Sequence, residues 1–282
     1  MAKKKKKRPI ASRDIGLDMG IIFLRFFFDS EHLHYGLWPE DLPVTARNLA
    51  QAQQNYEDHI VSHIPPGVRT ILDVGCGTGL LMHRLQSLGY EVEGVVPSTQ
   101  LLEYCRQRLG PDTVIHQCRF EDFSPAKRYD LVLFCESFQY IPLADSLAKA
   151  KACLAPGGHV LICDFFKKDV PGNSPIRGGQ NLAKFYAAVE DQALAIQTDR
   201  DITDAIAPTM ELVNRFLLEV ARPLWHNIVA LAKRRFSWLA GLLLWKYKKR
   251  VDKMNRKYFS GQRTPETFAR FKSYRLLLLA GK

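Results

Sequence analysis

"ILDVGCGTGLL", residues 71–81, packs three glycines and a carboxylate into the end of an apolar run. The run itself, "TILDV" (70–74), has the character of a strand buried on both faces, and "GLLMHRLQSLG" (79–89) carries helical spacing that stops at Gly89. The quoted stretch is therefore the loop of a strand-loop-helix unit. Glycine in such a loop lets the backbone turn tightly and lets a ligand lie against it without a Cβ in the way. A dinucleotide loop is usually spaced G-x-G-x-x-G, with the pyrophosphate on the helix N-terminus. Here Gly75, Gly77 and Gly79 are spaced G-x-G-x-G, Leu80 stands where a third dinucleotide glycine would fall, and Asp73 precedes the first glycine by two residues. A carboxylate in that place repels a pyrophosphate and suits a ligand that brings a cation.

Outward from this loop the unit repeats. "EVEGVV" then "TQLLEYCRQRLG" reads as strand and helix, "TVIHQ" as a short third strand, and "YDLVLFCE" then "LADSLAKAKACLAPGG" as a fourth unit closing in a Pro-Gly-Gly turn. "HVLICDFF" is a fifth strand, "QNLAKFYAAVEDQ" a helix, "ALAIQTD" a sixth strand and "FKSYRLLLLAG" a last one. Strands alternating with helices predict an α/β fold, a mostly parallel sheet covered on both faces. About 70 residues, Asp201 to Arg270, break the alternation with helical apolar spacing, and Pro208 and Pro223 are natural breaks within them. The spacing predicts an inserted helical cap that forms an apolar acceptor pocket. The chain divides into a basic N-terminal arm (1–45), a core (46–204), the cap (205–258) and a returning strand (259–282).

At 282 residues and 46% hydrophobic content the chain can bury a full core. The net charge of +11 is confined: Lys3 to Arg8 supply six positive charges and Lys246 to Lys257 seven against one Asp, leaving the remainder close to neutral. The six cysteines include no C-x-x-C pair and no His companion at zinc spacing, which predicts a reducing compartment and no metal. Arg25 interrupts the apolar "IIFLRFFF", so no signal peptide is expected. The run "FSWLAGLLLW" (236–245) is ten residues long, against roughly 20 needed to cross a bilayer.

"LDVGCGTG" resembles the first motif of class I S-adenosylmethionine-dependent methyltransferases, whose ligand carries an ammonium and a sulfonium. The resemblance continues through "YDLVLFCESFQYI", "LAPGGHVLICDFF" and "DITDAIAPT". It implies a Rossmann-like seven-stranded sheet with an antiparallel last strand, and S-adenosylmethionine as cofactor. Asp73 and the loop Gly75, Cys76, Gly77, Gly79 match the elements that hold the methionine end. Where the family often has an acidic residue for the ribose, this chain has Val96, with Ser98 or Gln100 to replace it; the loop "CRFEDF" offers Phe120 for stacking on adenine and Glu121 or Asp122 to accept from its amino group. "HLHYGLW" (32–38) resembles a cofactor-covering arm of lipid, prenyl and sterol methyltransferases, relatives of cyclopropane fatty acid synthases, and brings Tyr35 to the cofactor. Gln139 stands where the synthases carry a Glu, which favours simple methyl transfer over ring formation.

Methyl transfer from a sulfonium is an in-line displacement governed by positioning and exclusion of water. An oxygen or carbon acceptor also loses a proton, and the candidates to handle it are His32, His34, Glu136 and Asp164, with Tyr140 as a positioning group; Glu136 also stands beside the cofactor. His32 and His34 could equally be packed or solvated, Tyr140 a core aromatic, Asp164 a loop cap and Cys76 a space-filler. The basic segments pair cations with aromatics as an interfacial membrane element does, and the lysine run reads equally as a solubilising tail or an import signal. The expected acceptor is a hydrophobic small molecule or lipid, and the expected location is cytoplasmic, peripheral on an anionic membrane. A binding protein without turnover is the alternative. Nucleic acid ranks lower, because the fourth strand ends "CESFQY" rather than in the Asn/Asp-Pro-Pro-aromatic motif of base-amino methyltransferases.

Overall fold

The computed structural model describes residues 21, 25 and 31–281. The lysine run and all but two residues of "IIFLRFFF" lie outside the described residues, and with them the membrane, targeting and leader readings placed there.

The strands are β1 (Thr70–Val74), β2 (Glu91–Val95), β3 (Ile115–His116), β4 (Tyr129–Cys135), β5 (Leu154–Lys167), β6 (Gln180–Asn181), β7 (Leu194–Asp201) and β8 (Lys272–Gly281). They form one sheet in the order β3-β2-β1-β4-β5-β8-β7, with β6 added beside β5. Among the described residues only β8 runs antiparallel, to β5 and β7. The seven expected strands are present, and β6 is an eighth of two residues, too short to leave an alternation in the sequence. The Pro-Gly-Gly expected to close a turn lies inside β5. Leu154 pairs with Tyr129 and His159 with Leu131, so the extra residues are absorbed as a bulge at Gly157, whose φ is +77°.

Every strand of the centre buries both faces. Ile71, Leu131, Leu133, Leu161 and Leu276 pack into one apolar cluster, and Leu72, Val132, Phe134, Ile162 and Leu277 into a second on the opposite face. This two-residue period divides a run that reads as uniformly apolar in sequence. Helix α1 (Leu49–Val61) precedes β1; α2 (Leu80–Ser87), α3 (Thr99–Leu109), α4 (Leu143–Cys153) and α5 (Leu182–Asp191) follow the strands. The chain builds from β1 outward through β2 and β3, then returns to place β4 on the other flank of β1. That reversal opens a crevice at the carboxyl ends of β1 and β4, the place where open α/β sheets bind ligands.

The cap comprises α6 (Thr203–Ile206), α7 (Thr209–Arg215), a π-helical turn (Phe216–Ala221), α8 (Arg222–Arg235), α9 (Ser237–Lys246) and α10 (Lys248–Tyr258), and α11 (Pro265–Phe271) leads back into β8. Pro208 caps α7, but Pro223 does not break its helix: it sits in the first turn of α8, where a missing N–H is tolerated, and the π turn ahead of it carries the helix through. This is the unit expected to form an apolar acceptor pocket. Ile206, Ala207, Met210 and Ala240 are buried, but many of its apolar residues face outward, with Leu231 67%, Trp238 75% and Trp245 75% exposed, and a groove of about 560 Å³ lies between α8, α9 and α10.

Candidate active site

At the crevice lies a cavity of about 1250 Å³, and no residue of the cap lines it. Its floor is the loop after β1. Gly75 has φ +79° and accepts no side chain: a Cβ there would stand 2.5 Å from Cβ of Ser137. Gly77, φ +57°, faces the cavity, where a Cβ would meet only Leu33, at 3.9 Å. One glycine thus serves packing and the other leaves a wall open to a ligand.

Asp73 lies one residue before the end of β1, inside this wall. It is 1% exposed, and neither carboxylate oxygen has a hydrogen-bond donor. Burial pushes its carboxyl up to about 7, with the charge of Glu57 adding to the effect. A buried carboxylate without a partner is costly unless a cation completes it. Across the cavity, Gln100 likewise has a buried Oε1 without a donor, while Ser98 caps α3 by accepting from Leu101 N at 3.4 Å. Val96 lines the same side and is buried, so of the residues near the end of β2 Gln100 holds the open acceptor. Glu93, two residues before the end of β2, is taken by His116, Lys127 and Tyr129.

Beyond β4, Glu136 lines the cavity in the left-handed region, φ 52°, a conformation that costs a non-glycine residue free energy and recurs at functional sites. Its Oε1 accepts from Tyr35 N and from the Tyr274 hydroxyl, both at 2.7 Å, and the Tyr274 and Tyr56 hydroxyls are 2.8 Å apart. Burial raises the Glu136 carboxyl to about 8. At neutral pH it holds a proton with a pKa suited to exchanging it.

The arm crosses this corner. His32, Leu33 and His34 line the cavity, whereas Tyr35 packs against Phe165, Phe268 and Tyr274 and reaches the site through its backbone N–H on Glu136. Cys76 and Phe120 line it as buried residues; Glu121 lines it and pairs with Arg119 at 2.8 Å; Tyr140, 60% exposed, stands at the mouth. Gly79 supports the loop from behind, close to Cys105 and Leu109.

Asp164, a candidate for proton handling, does not reach the cavity. Its oxygens accept from Gln139 N at 3.0 Å, Gln139 Nε2 at 3.1 Å and Phe165 N at 2.8 Å, so it anchors the turn after β4. Gln139 is turned toward that anchor, and Glu136 is the carboxylate that faces the cavity beyond β4.

Sequence reasoning missed Glu57, Tyr56, Ser137 and Tyr274. Glu57 had a signal: α1 buries Leu49, Ala52, Gln53, Tyr56, Glu57 and Ile60, and a glutamate on that stripe is out of place unless it faces something polar. It is 2% exposed and lines the cavity beside His32 and His34. Burial raises its carboxyl, and the two imidazoles outweigh burial and hold it well below the usual range. Tyr274 had none, because β8 is far away in sequence.

Among known proteins, residues 71–158 match a family model described as a methyltransferase domain. A ubiquinone biosynthesis O-methyltransferase of Bradyrhizobium sp. (strain ORS 278) is 31% identical over 96 residues, 33% of this chain and 38% of that protein. The chain spans less than half the length of the curated relatives it matches. In fold it is similar to the geranyl diphosphate C-methyltransferase of Streptomyces coelicolor A3(2), solved with Mg2+, geranyl-S-thiolodiphosphate and S-adenosyl-L-homocysteine (TM-score 0.65, 16% identity, 98% of this chain and 100% of that one). It is similar as well to the cyclopropane synthase MmaA2 of Mycobacterium tuberculosis (TM-score 0.68, 16% identity, 98% and 100%). The glycine loop under an unpaired acid, the strand order and the family match over residues 71–158 agree: the chain carries a class I S-adenosylmethionine-dependent methyltransferase domain.

Proposed function

We propose that this chain transfers a methyl group from S-adenosylmethionine to a hydrophobic small molecule or lipid at an anionic membrane surface. The observation that carries the cofactor half is Asp73, buried near the end of β1 with both oxygens unpartnered beside a loop that leaves room for a ligand. An ammonium supplies the missing donors and charge. Asp73 and the Gly75–Gly79 loop hold the methionine end, Gln100 Oε1 accepts from a ribose hydroxyl, and Phe120 with Glu121 borders the adenine. The bound cofactor supplies an electrophilic methyl on sulfur. Glu136, poised near 8 and wired to Tyr274, takes a proton from the acceptor; Tyr140 at the mouth positions it; and His32, Leu33 and His34 close the corner against water.

The cap supports the membrane half. Leu224, Ile228, Leu231, Trp238 and Trp245 are more than half exposed on a unit that also carries Lys233, Arg234, Arg235 and the Lys246–Lys257 cations. Aromatic and aliphatic residues bordered by cations are the composition of an interfacial element. Among the described residues no helix is long and apolar enough to cross a membrane. The test is incubation of the full chain with methyl-labelled donor and lipid extracts, beside calorimetric titration with S-adenosylmethionine and S-adenosylhomocysteine. Label entering an organic-phase product supports the reading. Failure of either compound to bind overturns it.

A further inference from the structure

One corner of the cavity has a use that methyl transfer does not require. His34 Nδ1 lies 2.8 Å from the carbonyl of Tyr35, and a carbonyl only accepts, so Nδ1 carries the proton. With the proton on Nδ1, the neutral tautomer carries its lone pair on Nε2. That lone pair faces His32 Nδ1 at 3.1 Å and Glu57 Oε1 at 3.7 Å, and His32 Nδ1 lies 3.1 Å from the same oxygen. Glu57 Oε1 is fully buried and makes no hydrogen bond despite both imidazoles. Three donor atoms from two elements, the arm and α1, thus converge on one point at the cavity wall.

We propose that His32, His34 and Glu57 bind a divalent first-row cation of the zinc or ferrous class. Metal bonds of about 2.1 Å in tetrahedral or octahedral geometry put neighbouring donors roughly 3.0–3.4 Å apart; two of the observed edges, both 3.1 Å, fall in that span, and the third, 3.7 Å, is slightly longer. Two imidazoles and one carboxylate are a sufficient protein ligand set when other positions stay open. The outer contacts also fit. The Nδ1–H of His34 is held by a backbone carbonyl, the usual way a ligating imidazole is oriented, and Arg84 lies 3.4 Å from the second oxygen of Glu57, steering Oε1 inward. All three residues line the cavity, so the open positions accept an oxygen or nitrogen donor from its occupant. Cysteine spacing could not show this set, which contains no cysteine and whose carboxylate lies 23 residues after His34, on another element.

The test uses the full chain, stripped with a chelator and titrated with Co2+, whose visible d–d absorption reports its ligands, followed by displacement with Zn2+. One equivalent per chain is expected, with at least a tenfold loss of affinity in His32→Asn and in His34→Ala. His63→Asn, which disrupts the neighbouring His59–His63 pair, should leave the titration unchanged. Because Glu57 is buried, Glu57→Gln is read only beside its far-UV spectrum, and His32→Asn decides. Absence of Co2+ binding to the wild type, or equal binding by His32→Asn and the wild type, overturns the site. Titrating the stripped wild type with S-adenosylhomocysteine keeps this result separate from the methyl-transfer reading.

Discussion

Asp73 carries opposite consequences for ligand and fold. Replacing it with Asn removes the charge that answers an ammonium, so affinity for S-adenosylmethionine should fall about 10- to 100-fold, the range of about 1.5–3 kcal/mol for a charged hydrogen bond. The free protein should respond the other way. Above pH 7 the wild type buries an ionised, unpartnered carboxylate and the Asp73→Asn variant buries a neutral amide, so the stability difference should shift toward the variant between pH 5 and pH 8. Denaturant melts at the two pH values check this, and a difference that stays flat would show that Asp73 has a partner after all. Glu136→Gln makes a second pair of outcomes. The amide oxygen can still accept from Tyr35 N and Tyr274, so the fold should persist. The rise of the methylation rate through pH 8, set by a carboxyl that burial raises to about 8, should disappear. A variant with the wild-type pH profile would remove Glu136 from proton transfer.

At the scale of elements, the glycine loop and the cap behave as parts with separate jobs. Gly75→Ala forces a Cβ to 2.5 Å from Ser137 at φ +79°, and should destabilise the fold by roughly 2–4 kcal/mol, read by denaturant melts. Trp238→Ser with Trp245→Ser should leave the melting temperature near the wild type, since both side chains are 75% exposed, yet abolish flotation with anionic liposomes. Retained flotation would move membrane contact away from the cap. The difference in how legible these elements were has a physical origin. The strands and the loop after β1 are local: apolar runs, glycine spacing and one carboxylate state them within eleven residues. The cap's helices were equally local, but which way their apolar faces turn depends on what packs against them, and a ten-residue apolar run fits a core or a membrane surface alike. Of the site residues that escaped, Glu57, Tyr56 and Tyr274 are brought to Glu136 and the arm from far apart in sequence by α1 and by the antiparallel return of β8. Asp164 was open between proton handling and a loop cap because its neighbours in sequence mark only a strand end; the turn holding Gln139 shows that its oxygens are engaged there.

Among the described residues, three acids whose carboxyls burial raises, Asp73, Asp164 and Glu136, lie at one end of the sheet, and stability should show it. Burial raises Asp73 and Asp164 from the ordinary value of 3.8 to about 7, and Glu136 from 4.5 to about 8. Between the unfolded and folded values each folded carboxyl holds a proton that the unfolded chain has released, so stability falls as pH rises, by about 1.4 kcal/mol per pH unit for each group within its window. Below pH 6.5 the trend is opposed. Burial lowers His34, and His59 to about 4, and each favours the fold more as the unfolded imidazole loses its proton. Those contributions are complete by about 6.5, the unperturbed histidine value, which leaves pH 6.5 to 8 to the acids. The free protein should therefore melt at progressively lower temperature across that interval. Saturating S-adenosylhomocysteine, whose ammonium holds Asp73 ionised, should make the decline shallower by removing one of the three groups, and its affinity should rise with pH up to about 7 as binding expels that proton. Thermal melts at half-unit steps with and without ligand decide it. A free-protein melting temperature that rises from pH 6.5 to 8 would mean that the three carboxyls are not held protonated in the fold. Parallel slopes with and without ligand would detach the ammonium from Asp73.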